Sequence, residues 1–196
     1  MTSEQPVRGA PHDARATIAV ERMDGSAAVQ AADEFRLIYA EAFAEPPYNE
    51  NADDVDVAFR RFPVQAGNPT FRATLARCAD GQPVGMAYGY PLGPDTGWWD
   101  ELSKPVPEDM RREDGHRTFG LIELAVRGRW RGQGIARYLH ETLLDGIGAE
   151  RVLLNVHPSS KAASAAYRSW GYRKIGKARP WGESVDVHDV MLLDLR

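Results

Sequence analysis

Apolar positions recur along this chain in two rhythms. Between residues 27 and 43, Ala31, Phe35, Ile38 and Ala42 fall at helical spacing, and a second helix is expected over residues 53–62. Glu45-Pro46-Pro47-Tyr48-Asn49 separates them, because proline removes a backbone donor and restricts its neighbour. Strand-like runs cover residues 16–22, 70–79 and 83–90, and Ala79-Asp80-Gly81-Gln82 marks a hairpin between the last two. Leu121, Ile122, Leu124, Ala125 and Val126 then form a run too short for a typical helix, interrupted only by Glu123. That run reads as a buried central strand. Ile135, Leu139, Leu143 and Ile147 restore the helical period. A strand over 151–156, a short alanine-rich helix stopping at Gly171, and strands over 172–178 and 185–195 complete the chain. The order β-α-α-β-β-β-α-β-α-β-β is an α/β arrangement on a mixed sheet.

Composition narrows this picture. The 196 residues suit a single domain over 15–196, preceded by an arm, residues 1–14, whose mixture of proline, glycine and charge lacks periodicity and reads as disordered. A net charge of −4 gives no global sign of a nucleic-acid partner. No apolar run reaches membrane-spanning length, no signal-peptide pattern opens the chain, and Cys78 is the sole cysteine, so a reducing cytoplasm is the expected setting. No histidine or cysteine pair has metal-ligand spacing, and no metal is expected.

Against that acidic background, Arg127, Arg129, Arg131 and Arg137 fall within eleven residues without an acid among them, around Gly132-Gln133-Gly134. Strand, glycine turn and helix N-terminus form an arrangement that binds phosphate: the backbone comes close, unpaired amides face the anion, and the helix dipole adds to the attraction. A P-loop would end in Gly-Lys-Ser/Thr, which is absent. A dinucleotide fingerprint would need a small residue where Arg137 stands.

Arg129-Trp130-Arg131-Gly132-Gln133-Gly134 instead resembles the Gln/Arg-x-x-Gly-x-Gly/Ala motif of the GNAT superfamily of acetyl-CoA-dependent N-acetyltransferases. Ala163-x-x-x-Tyr167-x-x-x-Gly171-Tyr172 is similar to a second signature of that family, Ala-x-x-x-Tyr-x-x-x-Gly-Phe. Many members carry asparagine three residues before that alanine, where this chain has Ser160. The resemblance spans roughly residues 16–196 and implies a mixed, mostly antiparallel central sheet flanked by helices. It implies acetyl-CoA as co-substrate, with the thioester between two strands that part near Val126 and Asn155. Leu124, Ala125, Val126, Arg129, Arg131, Gly132, Gln133, Gly134, Ile135, Ala136, Asn155, Ser160, Ala163 and Tyr167 are the cofactor-binding candidates it implies.

For the chemistry, Tyr167 is the candidate acid, because a phenol within reach of a departing thiolate is a plausible proton donor. Glu123, on a strand face with Leu121 and Ala125, is the candidate base if that face is buried, acting directly or through water, and His157 after the 151–156 strand or His116 before the central strand could serve instead. The alternative is a carboxylate satisfied by an arginine or by backbone amides. By resemblance the acceptor site brings Phe43, Glu45, Tyr48 and Asn49 toward Trp98, Trp99, Asp100 and Glu101, a set suited to a cationic amine. Trp98 and Trp99 could equally pin the long loop over 91–116 to the surface. The expected function is direct acetyl transfer to a primary amine of a small molecule, peptide or protein. A non-catalytic acyl-CoA sensor and a transferase for larger acyl groups are the alternatives, and a homodimer is left open.

Overall fold

A computed structural model describes residues 18–180 and 186–195, so the arm over 1–14, the start of the first expected strand and Val185 lie outside the described residues. Seven strands form one sheet: β1 (Ala19–Met23), β2 (Arg72–Arg77), β3 (Pro83–Pro91), β4 (Thr118–Val126), β5 (Arg151–Val156), β6 (Arg173–Ala178) and β7 (His188–Asp194). Their spatial order is β1-β2-β3-β4-β5-β7-β6, and every neighbouring pair is antiparallel except β4 with β5. The mixed, mostly antiparallel sheet expected from the sequence is therefore present.

The first expected helix is two, α1 (Gly25–Gln30) and α2 (Ala32–Phe43), parted at Ala31. The break lets α1 run against the end of α3 (Ala52–Ala66), while α2 buries Phe35, Ile38 and Tyr39. Gly25 permits that approach: a Cβ there would stand 1.8 Å from the Ala66 carbonyl oxygen. Asn51 and Asp54 form a capping box that starts α3. The helix continues past Pro63 because Ala66, one turn on from Phe62, is also buried. In the 91–116 segment only a single turn, α4 (Glu108–Arg111), is helical. Two further helices, α5 (Ile135–Leu144) and α6 (Lys161–Ser169), complete the set, and no described helix is long and apolar enough to cross a membrane.

Three apolar clusters assign these elements to faces. Phe119, Leu121, Leu139, Leu143, Val152, Leu154 and Tyr167 form the core beneath α5 and α6. Phe35, Ile38, Phe62, Met86, Tyr88 and Ala125 form the core between α2, α3 and the β1–β4 half of the opposite face. Leu153 alternates with Val152 and Leu154, so the third cluster, Leu92, Trp99, Leu153, Val190 and Leu192, covers the β5–β6 half of that second face. Between the second and third clusters, over the β4–β5 boundary, the sheet is left for a site.

Candidate active site

The boundary opens because β4 and β5 pair only at Thr118↔Arg151, Phe119↔Val152 and Gly120↔Leu153. Beyond Gly120 the two strands part. Arg127 donates its amide to Val84 on β3 (2.9 Å), so by backbone alternation the Leu124 and Val126 amides face the gap. Past Val126 the chain makes a 3-10 turn over Gly128–Trp130, and Gly132 (φ 74°) and Gly134 (φ 80°) adopt left-handed conformations that favour glycine. Gly134 is the N-cap of α5 with no side-chain cap, so the first amides of Ile135 and Ala136 remain available to an anion.

The arginines around this loop are less free than their sequence spacing suggests. Arg127 pairs bidentately with Glu41 at 2.7 Å. Arg131 donates to the Val126 carbonyl (2.9 Å) and to Glu45 (2.5 Å), and Arg137 pairs with Glu141 (2.6 Å). Arg129 is held by the neutral amide of Gln82 (2.8 Å) and stands over Trp130. Gln133 donates to the Arg129 carbonyl (3.2 Å). What this loop could offer an anion is therefore its glycine-loop amides and the α5 dipole, with Arg129 beside them.

Glu123 points to the α2 side of the gap. The β3–β4 register runs Tyr88↔Glu123 and then Gly89↔Leu121, which leaves Ile122 as the extra residue of a bulge. The bulge overturns the expected shared face of Leu121 and Glu123: Leu121 packs beneath α5 and α6, whereas Glu123 stands with Ala125 and Tyr88 on the other face. Protein encloses its carboxylate, although the residue as a whole keeps a partial opening to solvent. Burial first, and the Glu50 charge second, push its pKa up to about 8; among the described residues neither an arginine nor an amide opposes them.

Four phenols surround that carboxylate. Tyr39, Tyr48, Tyr88 and Tyr167 are all pushed above the usual phenol range by burial, with a further contribution from Glu123 in each. Tyr167, on the inner face of α6, is 7% exposed and packs against Tyr172 and Trp170 at 5.4 Å. Ala163 lines the same side of α6 and Ser164 is buried beside it. Ser160 is the N-cap of α6 without capping it; its hydroxyl meets Tyr48 instead, which also contacts the His157 backbone. Tyr48 thus reaches across the gap from the α2–α3 connection and stacks edge-on to His157 at 5.8 Å. Asn155 lies on the part of β5 that has left β4, and its buried Oδ1 has no partner.

The expected acceptor residues separate into two places. Phe43 and Tyr48 join Tyr39 in an aromatic wall near Glu123, with ring separations of 4.3 and 4.7 Å. Trp98, Trp99 and Asp100 do not reach it. Trp99 is 4% exposed, donates to Glu113 (3.0 Å) and lies over Arg151, inside the third apolar cluster. Trp98 packs on that cluster's edge, and Asp100 pairs with Arg111 at the surface. His116 is exposed at the other end of β4, on a cavity of about 550 Å³ that it lines with Phe71, Pro91 and Ile147. Among the described residues no group of three His, Cys, Asp or Glu side chains could hold a metal ion.

Glu50 was not foreseen from the sequence. Its amide donates to the Phe43 carbonyl (2.9 Å), which folds the proline segment back on α2 and turns the side chain inward beside Tyr39. The one sequence signal was an acid directly after a proline-rich turn and directly before a capping box.

Over 91 residues the chain is 33% identical to human N-acetyltransferase 8B, covering 44% of this chain and 39% of that protein. Over 121 residues it is 28% identical to the GCN5-like protein acetyltransferase Rv2170 of Mycobacterium tuberculosis, covering 57% and 56%. The matches thus span about two fifths to just over half of these relatives' lengths. The fold superposes on a GNAT-family protein from Desulfovibrio desulfuricans with a TM-score of 0.64 at 14% identity, covering 91% of this chain and 99% of that one. YncA from Salmonella typhimurium, solved with its cofactor acetyl-CoA, superposes with a TM-score of 0.60 at 15% identity over 91% and 94%. The sequence profile of the Acetyltransferase (GNAT) family matches residues 32–172, most of the chain, and the protein belongs to that family.

Proposed function

We propose that this protein transfers the acetyl group of acetyl-CoA directly to a primary amine, with Glu123 as base and Tyr167 as acid. The feature that carries the reading is the Glu123 carboxylate: enclosed, its pKa pushed by burial up to about 8, with no cation acting on it among the described residues and the buried Tyr167 phenol within reach of its charge. Three features fit acetyl-CoA to the gap. The glycine loop and uncapped α5 offer amides to a diphosphate, the orphaned Asn155 Oδ1 offers an acceptor to an amide N–H, and the Val126 amide faces where a thioester oxygen would lie. Arg131, tied to the Val126 carbonyl and to Glu45, would hold that strand end in place.

In this mechanism Glu123 takes a proton from the acceptor ammonium, and the freed amine nitrogen forms its bond to the thioester carbon. The Val126 amide stabilises charge on the carbonyl oxygen as that bond forms. The C–S bond then breaks as Tyr167 donates its proton to the departing thiolate. The second proton of the nitrogen, acidified as the amide forms, returns to the phenolate, so that Glu123 alone ends protonated and releases that proton to solvent. The phenol's raised pKa keeps it protonated at neutral pH, as a donor must be. Burial of both groups beside the reacting atoms adds the benefit of orientation.

The test is amine-dependent release of free thiol from acetyl-CoA, measured with and without acceptor. A sensor would bind acetyl-CoA and release none. Tyr167→Phe is expected to slow turnover about a hundredfold while leaving acetyl-CoA binding unchanged, at the low end for a proton donor because a thiolate leaves readily. Wild-type turnover in that variant would remove the phenol from the mechanism. Gly134→Asp places a carboxylate where the diphosphate is proposed to sit. Calorimetry should show acetyl-CoA affinity about tenfold weaker or worse, with the melting curve nearly retained because aspartate tolerates a left-handed conformation better than most residues. Unchanged affinity would move the cofactor away from this loop.

A further inference from the structure

Among the described residues Glu50 is the one charged group that acts on Glu123, and the one that acts on Glu50 is Asp54 of α3, another acid; no cation acts on either carboxylate. Around Glu123 stand Tyr39 from α2, Tyr48 from the α2–α3 connection, Tyr88 from β3 and Tyr167 from α6, all neutral phenols. Tyr39 donates to Glu50 Oε1 (3.1 Å), which fixes the carboxylate and leaves Oε2 buried without a partner. A carboxylate oxygen in that state costs free energy unless something donates to it. Arginines lie close in the fold, at Arg127 and Arg131, yet they are engaged by Glu41 and Glu45.

Resting on the transfer reading above, we propose that Glu50 and Glu123 together form an ammonium site, and that the acceptor is an aliphatic primary amine bound in its protonated form. Glu50 Oε2 accepts one N–H of the ammonium and holds it against the face of Phe43 and Tyr39, where ring quadrupoles favour a cation. Glu123 accepts a second N–H and then that proton. The charge balances: two carboxylates and an ammonium become one carboxylate, one carboxylic acid and a neutral amine. Burial raises the Glu50 pKa and the Tyr39 hydrogen bond opposes that shift; Glu50 neither takes up nor gives up a proton in this step, so it acts as a positioning residue. Its charge also helps keep Glu123 basic enough to take a proton from an ammonium. Aromatic amines, neutral at the pH where Glu123 ionises, gain nothing from the pair.

The experiment compares wild type with Glu50→Gln on three acceptors. They are spermidine, a lysine peptide with a blocked N-terminus, and a lysine-free peptide with a free N-terminus, which separate the possible sources of the ammonium. Steady-state kinetics across pH are run beside calorimetric titration of the same amines. The expected result is an acceptor KM and Kd raised about tenfold or more for the preferred amine, as for loss of a charge-assisted hydrogen bond. The acetyl-CoA KM stays level, and the acid limb of the pH profile moves to lower pH because Glu123 has lost its like-charged neighbour. Equal amine affinity with an unmoved acid limb would overturn the ammonium site and leave acetyl transfer standing. Absence of thiol release with all three amines would instead count against acetyl transfer. Calorimetry would then still decide the site: weaker amine binding in Glu50→Gln supports it, and equal or absent binding overturns it.

Discussion

Replacing Glu123 by glutamine is expected to lower kcat about 10²- to 10⁴-fold while making the folded protein more stable at alkaline pH. The activity loss follows because glutamine keeps the shape but accepts no proton. The stability gain follows from the sign of the shift. Glu123 has its pKa raised on folding from an ordinary 4.5 to about 8, so between those values the folded chain binds the proton more tightly than the unfolded chain. Stability contributed by this group therefore falls as pH rises from 4.5 to 8, and the full penalty is present above 8. Glutamine never ionises and escapes it, with a benefit on the order of a few kcal/mol at pH 9 that fades toward pH 5. Thermal melts at both pH values check this. A variant equally stable relative to wild type at pH 5 and pH 9 would mean that Glu123 is not held in its neutral form.

The second large effect concerns the loop over 91–116, whose tryptophans were expected either to meet the acceptor or to pin the loop to the surface. Glu113→Ala is expected to cost about 3–5 kcal/mol of stability, because removing one partner strands the other charge in the interior. The Glu113 side chain is 0% exposed and that of Arg151 7%, and their ion pair spans 2.9 Å. Thr118 (2.7 Å) and Trp99 (3.0 Å) donate to the same Glu113 oxygen, while Arg151 donates to Thr118 (2.7 Å). Thr118 and Arg151 are themselves the first pair of the short β4–β5 ladder. The network therefore ties residues 99–113 to the point from which the two strands diverge. Denaturant titration gives the loss directly. A change below about 1 kcal/mol would show that the loop is held by its apolar contacts alone.

What could be read from the sequence was local. Gly132 and Gly134 mark a turn fit for an anion because left-handed conformations and an uncapped helix start are encoded within a few adjacent residues. The central strand announced itself as well, and Glu123 drew attention as the lone acid within it. Its face could not be read, because alternation assumes that no residue is skipped. The bulge at Ile122, opposite Tyr88 and Gly89, depends on the partner strand. The arginine cluster misled for a related reason: Glu41 and Glu45, which engage Arg127 and Arg131, lie 86 residues away. Glu50 acquires meaning only when α2, the proline segment and β4 meet. Trp99 is costly to leave in water wherever it sits, and that alone could not say whether a substrate or the Leu153–Leu192 cluster would cover it.

The central claim is that the gap between β4 and β5 is where an amine loses a proton to Glu123 and takes an acetyl group. The most direct measurement is the pH dependence of amine-dependent thiol release from acetyl-CoA, in wild type and Glu123→Gln side by side. The predicted result is a wild-type kcat/KM that rises through an acid limb near pH 8, as Glu123 of the free enzyme ionises, and a slow variant whose profile lacks that limb. Release in Glu123→Gln at the wild-type rate with the same limb would contradict the claim.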